Sequence, residues 1–594
     1  MTERTVSDVI VDRLTAWGVN RVFGYSGDGI NGFMGALRRA GGRVEFVQAR
    51  HEETAAFMAV GHAKYTGGVG VVTSTQGPGA VHLLNGLYDA KLDGVPVVAI
   101  VGQQSRTVLG SAYMQEIDLG ALFKDVASQF VQLVSAPEQV PMVLDRAFRT
   151  AKATSSPCVV IVPHDIQSEP APKLEQEHGI VVTAPSWSAA AKTPREDDLE
   201  AAAALLNSAE KVALLVGQGA RNAFAEVVAV AEKLGAGIAT SLLGKPYVDE
   251  TLPFAVGTMG HLGSTASAHL LGNCDALLIV GSNDPWTEFY PPPGAARAVQ
   301  IDIDEKKIGN RYPVEVGLAG DAASALAALD RRLEHRQRRE WRSAVEHEVS
   351  RSRILAADRA AVPAEPVNPE RVVRELNGRL PDNAQVSVDV GSCVYWYARQ
   401  LVLPPGVPAH LSGTLASMGC SIPYGIAAKL AHPDRPLVAL AGDGAMQMAG
   451  VAELATVAHR WRQWEDPRFV ICVFNNRELT EVTWEQRESE GEPRFAASQE
   501  LPDFPFAGYA ELLGLGGIRV EDPDLLGEAW DQAFAADRPV VIEVLTDPEI
   551  PLLPPFPAGK EKARTMRKGL AAEDDGHARA LLDTYVSQEE RPGG

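Results

Sequence analysis

Apolar residues along this chain recur in short unbroken runs, each bounded by Gly, Pro, Asn or Asp. Continuous runs of this kind, rather than alternating ones, suit strands buried on both faces of a parallel sheet. Between them lie stretches whose apolar positions fall at helical spacing, and the alternation of the two predicts an α/β fold of helices flanking mainly parallel sheets. The pattern is repeated three times. Runs at 69–73 and 95–101 mark a first unit, residues 1–180, and runs at 211–216, 276–280 and 298–303 a second, residues 190–345. Those at 386–390, 437–441, 469–474 and 539–545 mark a third, residues 365–550. Polar, Pro-rich stretches at 168–195 and 363–369 separate the units, and residues 551–594 form a tail. In that tail Ala578, Leu581, Leu582, Tyr585 and Val586 keep helical spacing, the stripe of a helix packed on its own protein rather than of a membrane anchor.

A length of 594 residues accommodates three domains with ample core. With 55 basic against 76 acidic side chains the formal charge is −21, and neither basic blocks nor interleaved aromatics occur, which argues against a nucleic-acid partner. Cys158, Cys274, Cys393, Cys420 and Cys472 lack metal-ligand spacing and read as reduced thiols of a cytoplasmic protein. The chain opens without a signal-peptide pattern, and no apolar run is long enough to span a bilayer, so any membrane contact is expected to be peripheral.

Two of the apolar runs end in residues suited to phosphate and metal. Gly442-Asp443-Gly444 follows 437–441, and Asn475-Asn476 follows 469–474. A Gly-rich turn lets backbone amides approach phosphate oxygens, while a carboxylate and an amide oxygen are hard ligands for Mg²⁺. Both sit at the carboxyl ends of predicted strands, where open parallel sheets hold their ligands. In the first unit, Arg50-His51-Glu52-Glu53 starts a helix of small and apolar residues, with Glu52 suited to the positive end of its dipole and set in apolar surroundings. A zinc helix is excluded there, because no second histidine follows His51 four residues on. Gly77-Pro78-Gly79 opens a further helix containing His82 and Asn85.

In order along the chain, Gly27-Asp28, the Arg50–Glu53 helix start, Gln76-Gly77-Pro78-Gly79, Gln115-Glu116, Ser417-Met418-Gly419, Gly442-Asp443-Gly444 and Asn475-Asn476 resemble the thiamine-diphosphate-dependent enzymes of the pyruvate oxidase and acetolactate synthase superfamily. The resemblance implies a pyrimidine-binding first domain, a central flavin-type domain and a diphosphate-binding third domain. It assigns Glu52 to the aminopyrimidine N1′ of the cofactor, Met418 to the wedge between its two rings, and Asp443, Asn476 and the backbone carbonyl of Glu478 to Mg²⁺. Gly391, Ser392, Cys393, Gly442, Gly444, Ala445 and Leu479 would line the diphosphate side, with Gly77 and His82 on the pyrimidine side. Gln115 and Val482 would line the acyl pocket. The family's sites lie between the first domain of one subunit and the third of another, which implies a homodimer or homotetramer. One departure is a longer stretch between Gly444 and Asn475, with an insertion around 460–468 expected to be a surface loop.

His82 within residues 79–86, the 110–116 loop, and the absence of the synthases' Arg-Phe-Asp-Asp pattern after Gly281 bring the chain closest to quinone-linked pyruvate oxidases. In the central domain Gly219, Arg221, Thr258, Gly260, Gly281, Asp302 and Asp321 resemble flavin stations, implying FAD. The implied activity is decarboxylation of a 2-oxo acid, pyruvate above all, with electrons passing through FAD to a quinone or oxygen. An acetolactate-type carboligase and a non-catalytic relative are the alternatives.

Overall fold

The computed structural model describes residues 4–591 apart from 174, 176 and 574. Its strands form three six-stranded sheets, and every strand pairing within them is parallel. The first holds β1 (Arg21–Gly24), β2 (Glu45–Gln48), β3 (Gly70–Ser74), β4 (Val97–Gln103), β5 (Val131–Leu133) and β6 (Pro157–Pro163), in the order β2-β1-β3-β4-β6-β5. The second holds β7 (Val212–Val216), β8 (Gly237–Thr240), β9 (Ala255–Thr258), β10 (Ala276–Val280), β11 (Arg297–Asp302) and β12 (Val316–Ala319), ordered β12-β11-β10-β7-β8-β9. The third holds β13 (Gln385–Val388), β14 (Ala409–His410), β15 (Leu437–Gly442), β16 (Phe469–Asn475), β17 (Gly516–Val520) and β18 (Val540–Leu545), ordered β14-β13-β15-β16-β18-β17.

First and third sheets therefore share one topology, whereas the middle sheet has the doubly wound order of dinucleotide-binding domains. In each sheet the order reverses between two adjacent strands: β1 and β3, β7 and β10, β13 and β15. Outside the carboxyl ends of such a pair the crossovers diverge to opposite faces and leave a crevice. Gly77-Pro78-Gly79 after β3, Gly219 after β7 and Gly442-Asp443-Gly444 at the end of β15 lie at these positions.

The helix Glu52–Thr66 shows how the outer domains meet. His51 caps it, Nδ1 accepting from Glu53 N at 3.2 Å, and left-handed Gly67 ends it. Its residues Ala55, Ala56, Phe57, Met58, Ala59 and Val60 are wholly buried, so it is apolar all round and enclosed rather than amphipathic. Each larger side chain among them contributes about 1.5–3 kcal/mol by burial. It packs on the helix Ser421–Ala431, its topological counterpart in the third domain, with a Cβ at Gly61 reaching 3.0 Å from Tyr424 Cα. Tyr424 Oη in turn donates to Asp89.

The tail forms two helices, Ala558–Glu573 and Gly576–Glu590. Its stripe of Ala578, Leu581, Leu582, Tyr585 and Val586 is buried against the third domain's core. Arg487, Glu370 and Arg359 receive it through Glu573, Tyr585 and Glu589 respectively. Among the described residues no helix is long and apolar enough to cross a membrane.

Candidate functional site

At the β13/β15 crevice two helices begin. Gly391, at φ 129°, leads into the helix Ser392–Gln400, and Asp443 opens a helical turn that continues through Met446–Gly450 into Val451–Arg460. Two N-termini converging on one crevice form an anion seat. A Cβ at Gly391 or at Gly442 would meet nothing within 4 Å, so there is room beside both. Ala445 is buried just behind, and Cys393 Sγ reaches back to Asp389 O at 3.2 Å.

Asp443 is 3% exposed. Its Oδ1 accepts from Gly444 N at 2.8 Å, and its Oδ2 accepts from Asn476 N at 3.0 Å and Arg477 N at 2.5 Å. Three bonds leave a free lone pair on Oδ1. Burial pushes the carboxyl up to about 7, against the pull of the three amides. Arg477, at φ 58°, folds the chain so that Asn476 follows Asp443 into the crevice, where its Oδ1 accepts from Glu478 N at 3.0 Å. The Glu478 carboxylate is engaged by Thr483 and Arg494, which leaves its main-chain oxygen as the group it can offer a cation. Carboxylate, amide and carbonyl oxygens suit Mg²⁺. Met418 and Leu479 close the side of this turn, their methyl groups 3.1 and 2.8 Å from a Cβ placed on Gly444.

In the first domain the β1/β3 crevice gathers a second polar group. Gly29 N donates to Thr75 Oγ1 and Asp28 Oδ1, and Gln76 Nε2 donates to Gln115 Oε1 at 2.9 Å and Asp28 Oδ1 at 3.3 Å. Gly77 has φ 59°, and a Cβ there would sit 2.8 Å from that of Gln115, so the turn and the Gln115 loop need a glycine to touch. Gln115 is itself left-handed at φ 62°, in a loop that Glu116 ties by accepting from Gly110 N and Tyr113 N. Glu52 is 8% exposed, with Oε2 2.9 Å from His82 Nδ1. The His82 ring lies 4.3 Å from that of His51. The apolar setting expected for Glu52 is thus corrected: its helix is apolar, but the carboxylate at its first turn faces two imidazoles.

In the middle domain the glycines serve the chain's own approach. Cβ atoms at Gly219 and Gly281 would each lie within 2.7 Å of the other's backbone, and one at Gly260 would strike Trp286. What points to a ligand instead is a set of buried polar atoms without partners among the described residues. Thr240 Oγ1, Thr258 Oγ1, Ser282 Oγ and Asn283 Oδ1 lie at the carboxyl ends of β8, β9 and β10. Buried polar atoms are ordinarily paired, so four orphans at a doubly wound switch region fit a bound polar group. Asp302, at the end of β11, is buried, and burial raises its pKa. Asp321 caps the helix Ala322–Asp330 through Ser324 N at 2.9 Å, while a Cβ at the adjacent Gly320 would meet Pro194. Arg221 is exposed.

Comparison with known families bears on these three crevices together. The profile described as "Thiamine pyrophosphate enzyme, N-terminal TPP binding domain" matches residues 4–122, that of the "central domain" 199–329, and that of the "C-terminal TPP binding domain" 389–544. The chain belongs to the thiamine pyrophosphate enzymes. Its relatives include YdaP of Bacillus subtilis (strain 168), provisionally described as a thiamine pyrophosphate-containing protein, 35% identical over 93% of both chains. The pyruvate oxidase of Lactiplantibacillus plantarum is 31% identical, over 98% of this chain and 94% of its own. The acetolactate synthase isozyme 2 large subunit of Escherichia coli (strain K12) is 30% identical, over 94% and 98%.

Within this thiamine pyrophosphate enzyme the fold assembles two clusters. Glu52, Gly77, His82 and Gln115 come together in the first domain; Gly391, Ser392, Cys393, Met418, Gly442, Gly444, Ala445, Leu479 and the metal-type ligands do so in the third. The hydrogen bonds of Glu52 and Asp443 each close within their own domain. Val482, 48% exposed on the helix Thr480–Ser489, belongs to the third domain, and Gln115 to the first.

Two residues that position these clusters, Asp389 and Glu453, escaped the sequence reading, and Asn85 was read there only as part of its helix. Asp389, fully enclosed after β13, accepts from Val390 N, Gly419 N, Ser421 N and Ser421 Oγ at 2.6–3.0 Å, and so fixes the turn that presents Met418. Glu453 accepts from Arg50 N at 2.7 Å and Thr54 Oγ1 at 2.6 Å, pinning the start of the Glu52 helix to the third domain. Asn85 donates to both Glu53 and Ser417. Only Asp389 had a local signal, an acid within the 386–390 run and just before Gly391-Ser392. The insertion around 460–468 is also corrected: Trp464 is buried, its ring 5.8 Å from that of Phe469, and Arg460 pairs with Glu45 at 2.6 Å. Its tryptophan finds a core edge that the local composition does not reveal.

Proposed function

We propose that this enzyme decarboxylates a 2-oxo acid, pyruvate first among candidates, and passes the electron pair that departing CO2 leaves on the acyl carbon through FAD to a quinone or oxygen. The observation that carries the cofactor reading is the enclosed Asp443 turn, with Asn476, the Glu478 carbonyl and two helix N-termini on one crevice. Asp443, Asn476 and Glu478 would hold Mg²⁺ there, with Gly391, Ser392, Gly442 and Ala445 around the diphosphate. When bound, thiamine diphosphate supplies the electron sink that decarboxylation requires. Met418 sets the shape of the space beside Gly444. Glu52 would hold a proton at the aminopyrimidine N1′, a role suited to a carboxyl shielded from water on the first turn of a rigid, enclosed helix. Gln115, fastened to Gln76, presents an amide toward the substrate side.

The oxidative branch draws support from the four orphaned polar atoms of the middle domain, which suit a dinucleotide. A second reading, an acetolactate-type carboligase joining two 2-oxo acids, draws on the relatives named for that reaction. It needs no redox-active flavin. The visible spectrum of the purified full chain, taken with thiamine diphosphate and Mg²⁺ before and after anaerobic pyruvate, separates the two. Bleaching of a flavin band is the expected result, whereas a colourless protein that forms acetolactate would overturn the oxidase assignment.

We further propose a homodimer as the smallest active unit, with Glu52 of one chain and Asp443 of another completing each site. Mixing inactive Glu52→Gln and Asp443→Asn chains under conditions that exchange subunits should restore activity, because a hybrid holds one intact site. Mixtures that stay dead would place both residues in one chain's site.

A further inference from the structure

The pair of imidazoles beside Glu52 has no part in the reading above beyond lying on the pyrimidine side. His51, Glu52 and His82 each offer one ligand atom, and these atoms all lie within 4.8 Å of one another. We infer that these three side chains form a transition-metal site, selective for Zn²⁺-like cations over Mg²⁺, whose occupation excludes the cofactor's aminopyrimidine from Glu52.

Three ligand atoms this close can be drawn into an open tetrahedral centre. Zn–N and Zn–O bonds of about 2.0–2.1 Å place tetrahedral ligand atoms roughly 3.3 Å apart. Glu52 Oε2 and His82 Nδ1 already stand at 2.9 Å, and the two rings at 4.3 Å between centroids. Small rotations of His51 and His82 bring the set to bonding distance. Two histidines and one glutamate are the ligands of catalytic zinc centres that keep a fourth position for water. Solvent reaches this position here, since the His82 side chain is 41% exposed while that of Glu52 is 11% exposed.

Local electrostatics permit a cation. The N-terminus of the helix Glu52–Thr66 presents its positive end, but Glu52 and Glu53 both lie in the first turn and offset it. Glu53 is held by Asn85 2.6 Å away, which keeps its charge beside the cluster without making it a ligand. Both histidines have to bind as neutral imidazoles, and the 2.9 Å contact between His82 Nδ1 and Glu52 Oε2 gives way to their separate bonds with the cation. Imidazole favours zinc, nickel and copper, whereas the all-oxygen Asp443 turn favours Mg²⁺, so the two sites sort different ions.

Exclusion of the cofactor rests on the proposed role of Glu52, and the test keeps the two claims apart. The full chain, freed of thiamine diphosphate, is titrated with ZnCl2 in excess MgCl2 by calorimetry. One site per chain is expected. Both His51→Ala and His82→Ala should weaken it by at least about 100-fold, since even an outer hydrogen-bond partner of a metal ligand costs roughly 10–100-fold. Equal affinity in all three proteins, or no zinc uptake, would overturn the site. Should a variant fail to fold, Co²⁺ bound to the unaltered chain must show the intense visible bands of four-coordination, and weak octahedral bands would overturn it equally. Preloading with thiamine diphosphate and Mg²⁺ should abolish zinc binding. Histidine-dependent zinc uptake that ignores the cofactor would uphold the metal site and refute Glu52 as the aminopyrimidine's partner.

Discussion

Arg487, on the helix Thr480–Ser489, is wholly buried against the tail, and its removal should loosen both. The guanidinium lies 2.8 Å from Glu549 and 2.6 Å from Glu573, whose side chains are only 12% and 9% exposed, and it stacks on Trp484 at 4.5 Å. Burial works against its charge, but the two carboxylates outweigh it and hold its pKa above the ordinary value. Met in place of Arg487 keeps the aliphatic stem and leaves two carboxylates enclosed without a counter-charge. Breaking a buried pair in this way costs about 3–5 kcal/mol, and the low exposure leaves little solvent screening to reduce it. A local opening cost lowered by about 4 kcal/mol corresponds to roughly thousandfold faster amide exchange, at about 1.4 kcal/mol per decade. The assay is hydrogen exchange read by mass spectrometry over Thr480–Ser489 and Ala558–Glu573 of the full chain. Changing Glu549 and Glu573 to Gln as well should recover most of the protection, since neutral replacement of a whole buried pair is tolerated. Acceleration under about tenfold for Arg487→Met, or no recovery in the triple variant, would refute the idea that this ion triad fastens the tail.

Asp443→Asn should remove Mg²⁺-dependent thermal stabilisation by thiamine diphosphate while leaving the fold intact; an undiminished shift in melting temperature would count against the metal assignment. Glu52→Gln should retain cofactor binding and lose turnover by at least about 100-fold, the scale of one positioned acid–base group, in steady-state assays with pyruvate. Gly281→Ala, at φ 56° with a Cβ facing Gly219 Cα at 2.5 Å, should destabilise the middle domain by at least about 1–3 kcal/mol in urea unfolding. For His577, burial opposes the charged ring, but its 2.8 Å bond to Asp547 and the nearby Glu365 and Asp575 raise its pKa above the usual 6.5. The stability so gained is complete below that unfolded value and is lost as pH rises through the folded one, so exchange of Gly576–Glu590 should quicken from pH 6 to pH 8 beyond its intrinsic pH dependence. His577→Gln should flatten that excess.

Strands, their carboxyl ends and the small-residue helix at Glu52 were legible because each is written in consecutive residues. An unbroken apolar run has to be buried on both faces, and the Gly-Asp-Gly or Gly-x-Gly after it lies where a parallel sheet opens. Asp443 and Asn476 could be found in this way, whereas Met418 rested on the family resemblance; the fold brings all three beside Gly444. In the middle domain the glycines serve the chain's own close approach and Asp321 serves as a cap, and neither contact is written in the local sequence. Sequence alone does not distinguish a glycine kept for a ligand from one kept for backbone contact.

The chain's linear pattern settled the class of architecture, three parallel α/β domains, and the family to which they belong. Tertiary structure decided the rest: which strands neighbour at each reversal, that Asp389 braces the Met418 turn, that Trp464 is core, and that His82 faces Glu52. The physical reason is range. Burial and backbone geometry act on neighbours along the chain, whereas a hydrogen bond such as Arg50 to Glu453, 403 residues apart, exists only once two finished domains have packed.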